Sequence, residues 1–137
     1  MRTSSFASLR TLALATLMLG LMAAPGEAQA PSLAMLDKLQ TGQWEIRYRG
    51  DEPAQRLCAR SGKDLIQLRH RQPGCNRFIV EDGASEVTVQ YTCKGNGYGR
   101  TSIRRESSAL VQIETQGIEG GLPFSLTGEG RRVGPCR

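Results

Sequence analysis

Downstream of residue 30, apolar and polar residues alternate with a period of two, a pattern that predicts strands burying one face and wetting the other. The first such run starts at Gln43, with Trp44, Ile46 and Tyr48 on one side and Glu45, Arg47 and Arg49 on the other. A second is expected over residues 55–59, with Cys58 near its end. Residues 86–93 alternate most clearly. There Val87, Val89, Tyr91 and Cys93 share one face and Glu86, Thr88, Gln90 and Thr92 the other, so the Cys93 sulfur is expected to point inward. Further strands are expected at residues 77–81, 101–105, 109–115 and 123–129.

The breaks between these runs carry turn chemistry. Ser61-Gly62-Lys63-Asp64 predicts a helix start, with the Ser61 hydroxyl capping free N–H groups and Asp64 favourable in the first turn. Pro73-Gly74 ends that helix early. Asp82-Gly83 predicts a tight hairpin turn, Gly95, Gly97 and Gly99 predict another, and residues 117–121 separate the last two strands. Six or seven short strands with Gly-rich turns give a mainly β fold class. The expected architecture is an antiparallel meander forming a sandwich or partial barrel, with one short helix between early strands.

The chain begins with the parts of a secretory signal: basic Arg2 and Arg10, an uncharged apolar stretch over residues 12–24, and small residues around Ala28 and Ala30. The apolar stretch is shorter than the ~20 residues a helix needs to span a bilayer. A cleaved signal at 1–28 is therefore expected, with cutting after Ala28 or after Ala30, the latter disfavoured by Pro31. Residues 31–137 then form a single disulfide-bonded β domain. No cysteine lies near either cleavage position, so no lipid anchor is expected, and the domain is placed soluble in the periplasm.

Export makes the four cysteines, Cys58, Cys75, Cys93 and Cys136, candidates for disulfides. They contain no C-x-x-C, and His70 alone can add an imidazole, so no metal site and no cofactor are expected. The preferred pairs are Cys58 with Cys75 and Cys93 with Cys136.

The net charge of +5 comes mostly from arginines spread along the chain with acids between them. Nucleic acid is not an expected partner, since export removes the target and no recognition motif accompanies the charge. An anionic cell-envelope component or another periplasmic protein fits better, with Arg47 and Arg49 as possible contacts and Arg104 and Arg105 on further outward positions. No catalytic residue is expected. His70, in Arg69-His70-Arg71-Gln72-Pro73, lacks a nucleophile and an orienting group and reads as a solvated loop histidine. The glycines of residues 94–100 link two strands, where a phosphate loop links a strand to a helix. Trp44, Tyr48 and Tyr91 on inward faces are either core or the wall of a ligand pocket.

Gly42-Gln43-Trp44-Glu45, Cys58 before a short helix, Cys75, Tyr91-Thr92-Cys93 before a glycine turn, and Gly134-Pro135-Cys136 together resemble the domain of unknown function 3617 family, small exported proteins of Gram-negative bacteria. The resemblance runs from about Leu33 to Cys136 and implies an exported β-rich domain, with no catalytic or binding residue to carry over. Tyr91-Thr92-Cys93-Lys94-Gly95 is also similar to the Y-x-C-x-x-G start of small barrel-shaped periplasmic lysozyme inhibitors, with its glycine displaced by one position. A basic chain is poorly suited to a basic lysozyme. The expected function is thus an exported non-enzymatic binding or interaction domain. A lysozyme-inhibitor-like small β barrel and a carrier of a small apolar ligand are the alternatives.

Overall fold

The computed structural model describes residues 31–137, and the expected signal segment, residues 1–28, lies outside them. Seven strands form one antiparallel sheet: β1 (Gly42–Tyr48), β2 (Gln55–Ala59), β3 (Asn76–Asp82), β4 (Glu86–Cys93), β5 (Gly97–Ser107), β6 (Leu110–Glu119) and β7 (Leu122–Gly134). A helical turn, α1 (Ala34–Asp37), precedes them, and a 3-10 turn, Gly62–Leu65, stands where the short helix was expected. The order β2-β1-β7-β6-β5-β4-β3 makes β3 to β7 a continuous meander, with β1 paired to β7 and β2 outside β1. The mainly β antiparallel fold is as expected. The sheet stays open, with β2 and β3 as its edges, so the barrel of the lysozyme-inhibitor alternative is not formed.

The alternation does what it predicted. Trp44, Ile46, Val87, Val89, Tyr91, Cys93, Ile103, Val111 and Ile113 are buried on the inner face of the sheet. Met35 and Leu36 of α1 and Leu65, Ile66 and Leu68 of the β2–β3 connection complete the core. Each such side chain contributes about 1.5–3 kcal/mol when fully buried, so this face is what holds the single layer together. The connection, residues 60–75, is a strap that runs from one free edge to the other. Its start is fixed as the sequence implied: Ser61 Oγ accepts from Lys63 N at 3.1 Å and Asp64 Oδ2 accepts from Ser61 N at 3.1 Å. Gly62 touches the Leu36 backbone so closely that a Cβ there would collide with the Leu36 carbonyl.

Two glycine runs turn out to be strand as well as turn. Gly97 and Gly99 belong to β5 and Gly117 to β6, and Gly99 faces Gly117 across the ladder. The reason is packing. A Cβ on Gly99 would run into the Tyr91 phenol, so glycine lets that ring lie flat across the sheet.

Candidate functional site

The cysteines define the site, in a pairing that corrects the expected one. Cys58 is bonded to Cys136 and Cys75 to Cys93, not Cys58 to Cys75 and Cys93 to Cys136. The register of β3 on β4 explains it. Asn76 faces Thr92 and Arg77 faces Tyr91, so one step further places Cys75 opposite Cys93, with Cα atoms 4.4 Å apart, near the ~4.5 Å of a non-hydrogen-bonded antiparallel pair. Cys58 and Cys136 are brought together by β1, which pairs with β2 on one side and β7 on the other at Gln43. Cys93 is buried, as its face predicted. One cystine therefore guards each edge of the sheet, and the strap runs between them.

The strap is held from below by polar side chains of the sheet. Thr101 Oγ1 donates to the Ile66 carbonyl at 2.7 Å and Gln55 Nε2 donates to the Leu68 carbonyl at 3.1 Å. Arg69 donates to Glu52 at 2.6 Å and Glu119 at 2.8 Å, and its guanidinium lies 5.7 Å from the Phe124 ring. Burial lowers the Arg69 guanidinium, and the two carboxylates outweigh that and leave it raised.

His70 lies at the centre of this arrangement, which corrects the expectation of a solvated loop histidine: its side chain is completely buried. Nε2 lies 3.1 Å from the Asn96 carbonyl and 3.0 Å from the Ile118 carbonyl. Carbonyl oxygens only accept, so Nε2 carries the proton, and Nδ1 is left to accept from the Tyr91 hydroxyl at 3.0 Å. Burial and, less strongly, the Glu119 carboxylate push the Tyr91 phenol up to about 12. Every polar atom of the imidazole is thus engaged in holding the strap to β4, β6 and the β4–β5 turn, and none faces a reacting group. The signal for its burial was in the sequence. Ile66, Leu68 and His70 are buried in alternation with Gln67, Arg69 and Arg71, which are not, so the period-two pattern extends into the strap.

Above His70, between the strap and the two edges, opens a cleft of about 560 Å³. Cys58 and Cys75 are part of its lining, with Arg60, Arg71 and Arg77. Its one carboxylate, Asp64, already accepts from the backbone N–H groups of Arg60 at 2.8 Å and Ser61 at 3.1 Å. Arg77 Nε donates to the neutral amide of Gln67 at 2.7 Å. Among the described residues no ion pair engages Arg60, Arg71 or Arg77. All three are exposed and border one cleft, so an anion there can accept hydrogen bonds from more than one guanidinium.

The residues singled out from sequence are placed elsewhere. Trp44 and Tyr91 are fully buried core, and Trp44 Nε1 donates to the Gln40 carbonyl at 2.9 Å, so neither forms the wall of an open pocket and the carrier alternative loses its motive. Tyr48 is half-buried, donates to Gln55 at 2.8 Å, and borders a shallow groove with Glu52, Arg69 and Glu119, its phenol pushed up to about 12 by burial. Arg47 lies on the outer face and is spent on Glu45 at 2.6 Å, where Arg56 also binds. Hydrogen bonds from Arg47 and then Arg56 hold the Glu45 carboxyl below the usual range. Arg49 borders a small outer groove of about 120 Å³ shared with Glu86 and Glu114. Arg105 was expected outward beside Arg104. It lies opposite inward-facing Val111 and is half-buried, because adjacent strand residues cannot share a face. The outer arginines are thus interleaved with acids in space as in sequence, whereas Arg60, Arg71 and Arg77 converge only through the strap and the β3 register, a meeting no local pattern announces.

The fold and its cleft define a small β domain with an open sheet, two cystines and a strap across the seam. The chain belongs to the family described as "Protein of unknown function (DUF3617)", whose model matches residues 39–136. No curated protein and no solved structure matches it. Among the described residues no helix is long and apolar enough to cross a membrane, and no cluster of histidine, cysteine or acidic side chains could hold a metal ion.

Proposed function

We propose that this chain is an exported, non-enzymatic binding domain of the periplasm, and that the cleft between the two sheet edges holds an anionic group of a cell-envelope component. The observation that carries the reading is the convergence of Arg60, Arg71 and Arg77 on a cleft whose one carboxylate is committed to capping. Two cystines support an oxidising compartment. Guanidinium groups suit phosphate and carboxylate, which they bind through paired N–H donors. The use of the one histidine as a strap anchor supports a binding role over a catalytic one.

The test is co-sedimentation of the mature domain with vesicles containing phosphatidylglycerol, against phosphatidylcholine vesicles as control. Binding to the anionic vesicles is expected, weakening as salt shortens the Debye length from about 10 Å at 0.1 M to about 3 Å at 1 M. The triple variant Arg60→Ala, Arg71→Ala, Arg77→Ala is expected to lose it, while Arg47→Ala leaves it unchanged. A triple variant that binds like the parent would remove the cleft from the account.

A further inference from the structure

On the outer face of the sheet, away from the strap, two cross-strand rows of unlike chemistry adjoin. Thr92, Tyr98, Ile118 and Pro123 stand opposite one another from β4 to β7, and two residues along the strands Gln90, Arg100, Gln116 and Ser125 do the same. A hollow of about 360 Å³ takes Tyr98, Ile118 and Pro123 of the first row and Gln90, Arg100 and Gln116 of the second into its lining. Tyr98 is 48 % exposed, and of the three tyrosines it is the one turned to solvent. No carboxylate lines the hollow, and among the described residues no ion pair engages Arg100. The side chains of Gln90, Arg100 and Gln116 also make no hydrogen bond among the described residues. A polar row alone is a wetted surface. Here it adjoins an exposed aromatic ring in a concave place, the combination that orients a small molecule with one apolar face.

The spacing selects the ligand. Arg100 and Gln116 are directly opposed, so their Cβ atoms stand about 5 Å apart. Tyr98 lies two residues before Arg100 on the same strand and face, about 7 Å away. A ligand that meets all three presents a carboxylate beside a neutral amide, both attached to a ring whose C–H bonds can lie on a phenol. We propose that the hollow binds an N-acetylated amino sugar with a carboxylate on the ring carbon next to the acetamido group. The C–H face of the sugar lies on Tyr98, the carboxylate accepts paired N–H donors from Arg100, the acetamido N–H and C=O meet the amide of Gln116, and the acetyl methyl packs on Ile118. The unpaired guanidinium favours the acidic sugar over a neutral one, and the phenol and amides favour it over a bare anion. This site is separate from the arginine cleft on the strap side, and neither needs the other.

The test is an NMR titration of the isotope-labelled mature domain with the disaccharide of N-acetylglucosamine and N-acetylmuramic acid. N,N′-diacetylchitobiose, which lacks only the lactyl ether and its carboxylate, is the comparison. The acidic disaccharide is expected to shift the signals of Tyr98, Arg100 and Gln116 at millimolar concentration, and chitobiose to bind about tenfold more weakly, the worth of one charge-assisted hydrogen bond. Arg100→Gln is expected to bring the two affinities together, Tyr98→Ala to weaken both, and Arg71→Ala to alter neither. Circular dichroism shows whether each variant folds, and binding of Arg100→Gln to anionic vesicles reads the cleft separately. A parent that binds both disaccharides equally or neither, a folded Arg100→Gln variant that keeps the preference, or shifts confined to Arg60, Arg71 and Arg77 would overturn the proposal.

Discussion

The two edges of this sheet were built by the same alternation and ended differently. β2 is short, its Leu57 and Ala59 are buried, Cys58 ties it to the chain end at Cys136, and Gln55 reaches up to the strap. β3 is longer, has a cystine only at its start, and turns Phe78 and Val80 to solvent. The strap accounts for the contrast. Residues 60–75 leave β2 and lie across the inner face, so Leu57 and Ala59 acquire a cover, while Phe78, opposite outward Gln90, points to the other face, and Val80 stands at the irregularity of the β3–β4 ladder. An edge is thus protected by what the next segment does, and its own sequence says little about that.

The largest way to break the contrast is to release the guarded edge. Replacing both Cys58 and Cys136 with serine opens a sequence separation of 78, for which the loss of chain restriction amounts to about 4.5 kcal/mol. Urea unfolding under non-reducing conditions measures it, and the expected result is a large fall in midpoint with a steeper slope, because the unlinked unfolded chain exposes more surface. A change below 1 kcal/mol would mean that β2 is held by packing alone.

Next is the strap itself. His70→Ala removes a buried ring and strands the Tyr91 hydroxyl and the carbonyls of Asn96 and Ile118, which together should cost about 3 kcal/mol. Hydrogen exchange is expected to locate the loss of protection in residues 60–75 and the adjoining turns. Uniform loss across the sheet would show that the strap and sheet open as one unit. The smallest effect belongs to the open edge. Phe78→Ser should alter unfolding free energy by no more than about 0.5 kcal/mol, because the ring covers little within its own chain. A cost above 1 kcal/mol would show that β3 is covered after all.

Much of the fold was legible because burial on one face leaves a period-two record. β2 and β4 begin and end where the alternation placed them, and the Ser61 cap was readable from its hydroxyl and the carboxylate three residues on. The pairing of the cysteines was misjudged because pairing sequential neighbours neglects register. A two-residue turn at Asp82-Gly83 would set Gln90 against Cys75; Cys93 arrives there because Asp82 is still strand, paired with Val87, and the ladder shifts by one between Ile79 and Glu81. His70 was misplaced because the arginines on either side make its segment look wet, although the strap buries every other residue. The site was the least legible part. Arg60, Arg71 and Arg77 belong to a β2 exit, a strap and a β3 start, and only the folded chain brings them around one cleft.

The two cystines are nested, with Cys75 and Cys93 lying wholly between Cys58 and Cys136. For a chain threaded across a membrane with its N-terminus first, this sets a problem of timing. Cys58 emerges before any other cysteine, meets Cys75 next, and has its correct partner only when the penultimate residue arrives. Strictly sequential oxidation would therefore join the wrong thiols. Correct biogenesis requires either that the β3–β4 hairpin forms early enough to claim Cys75, or that a disulfide isomerase undoes the first bond once the last cysteine has crossed.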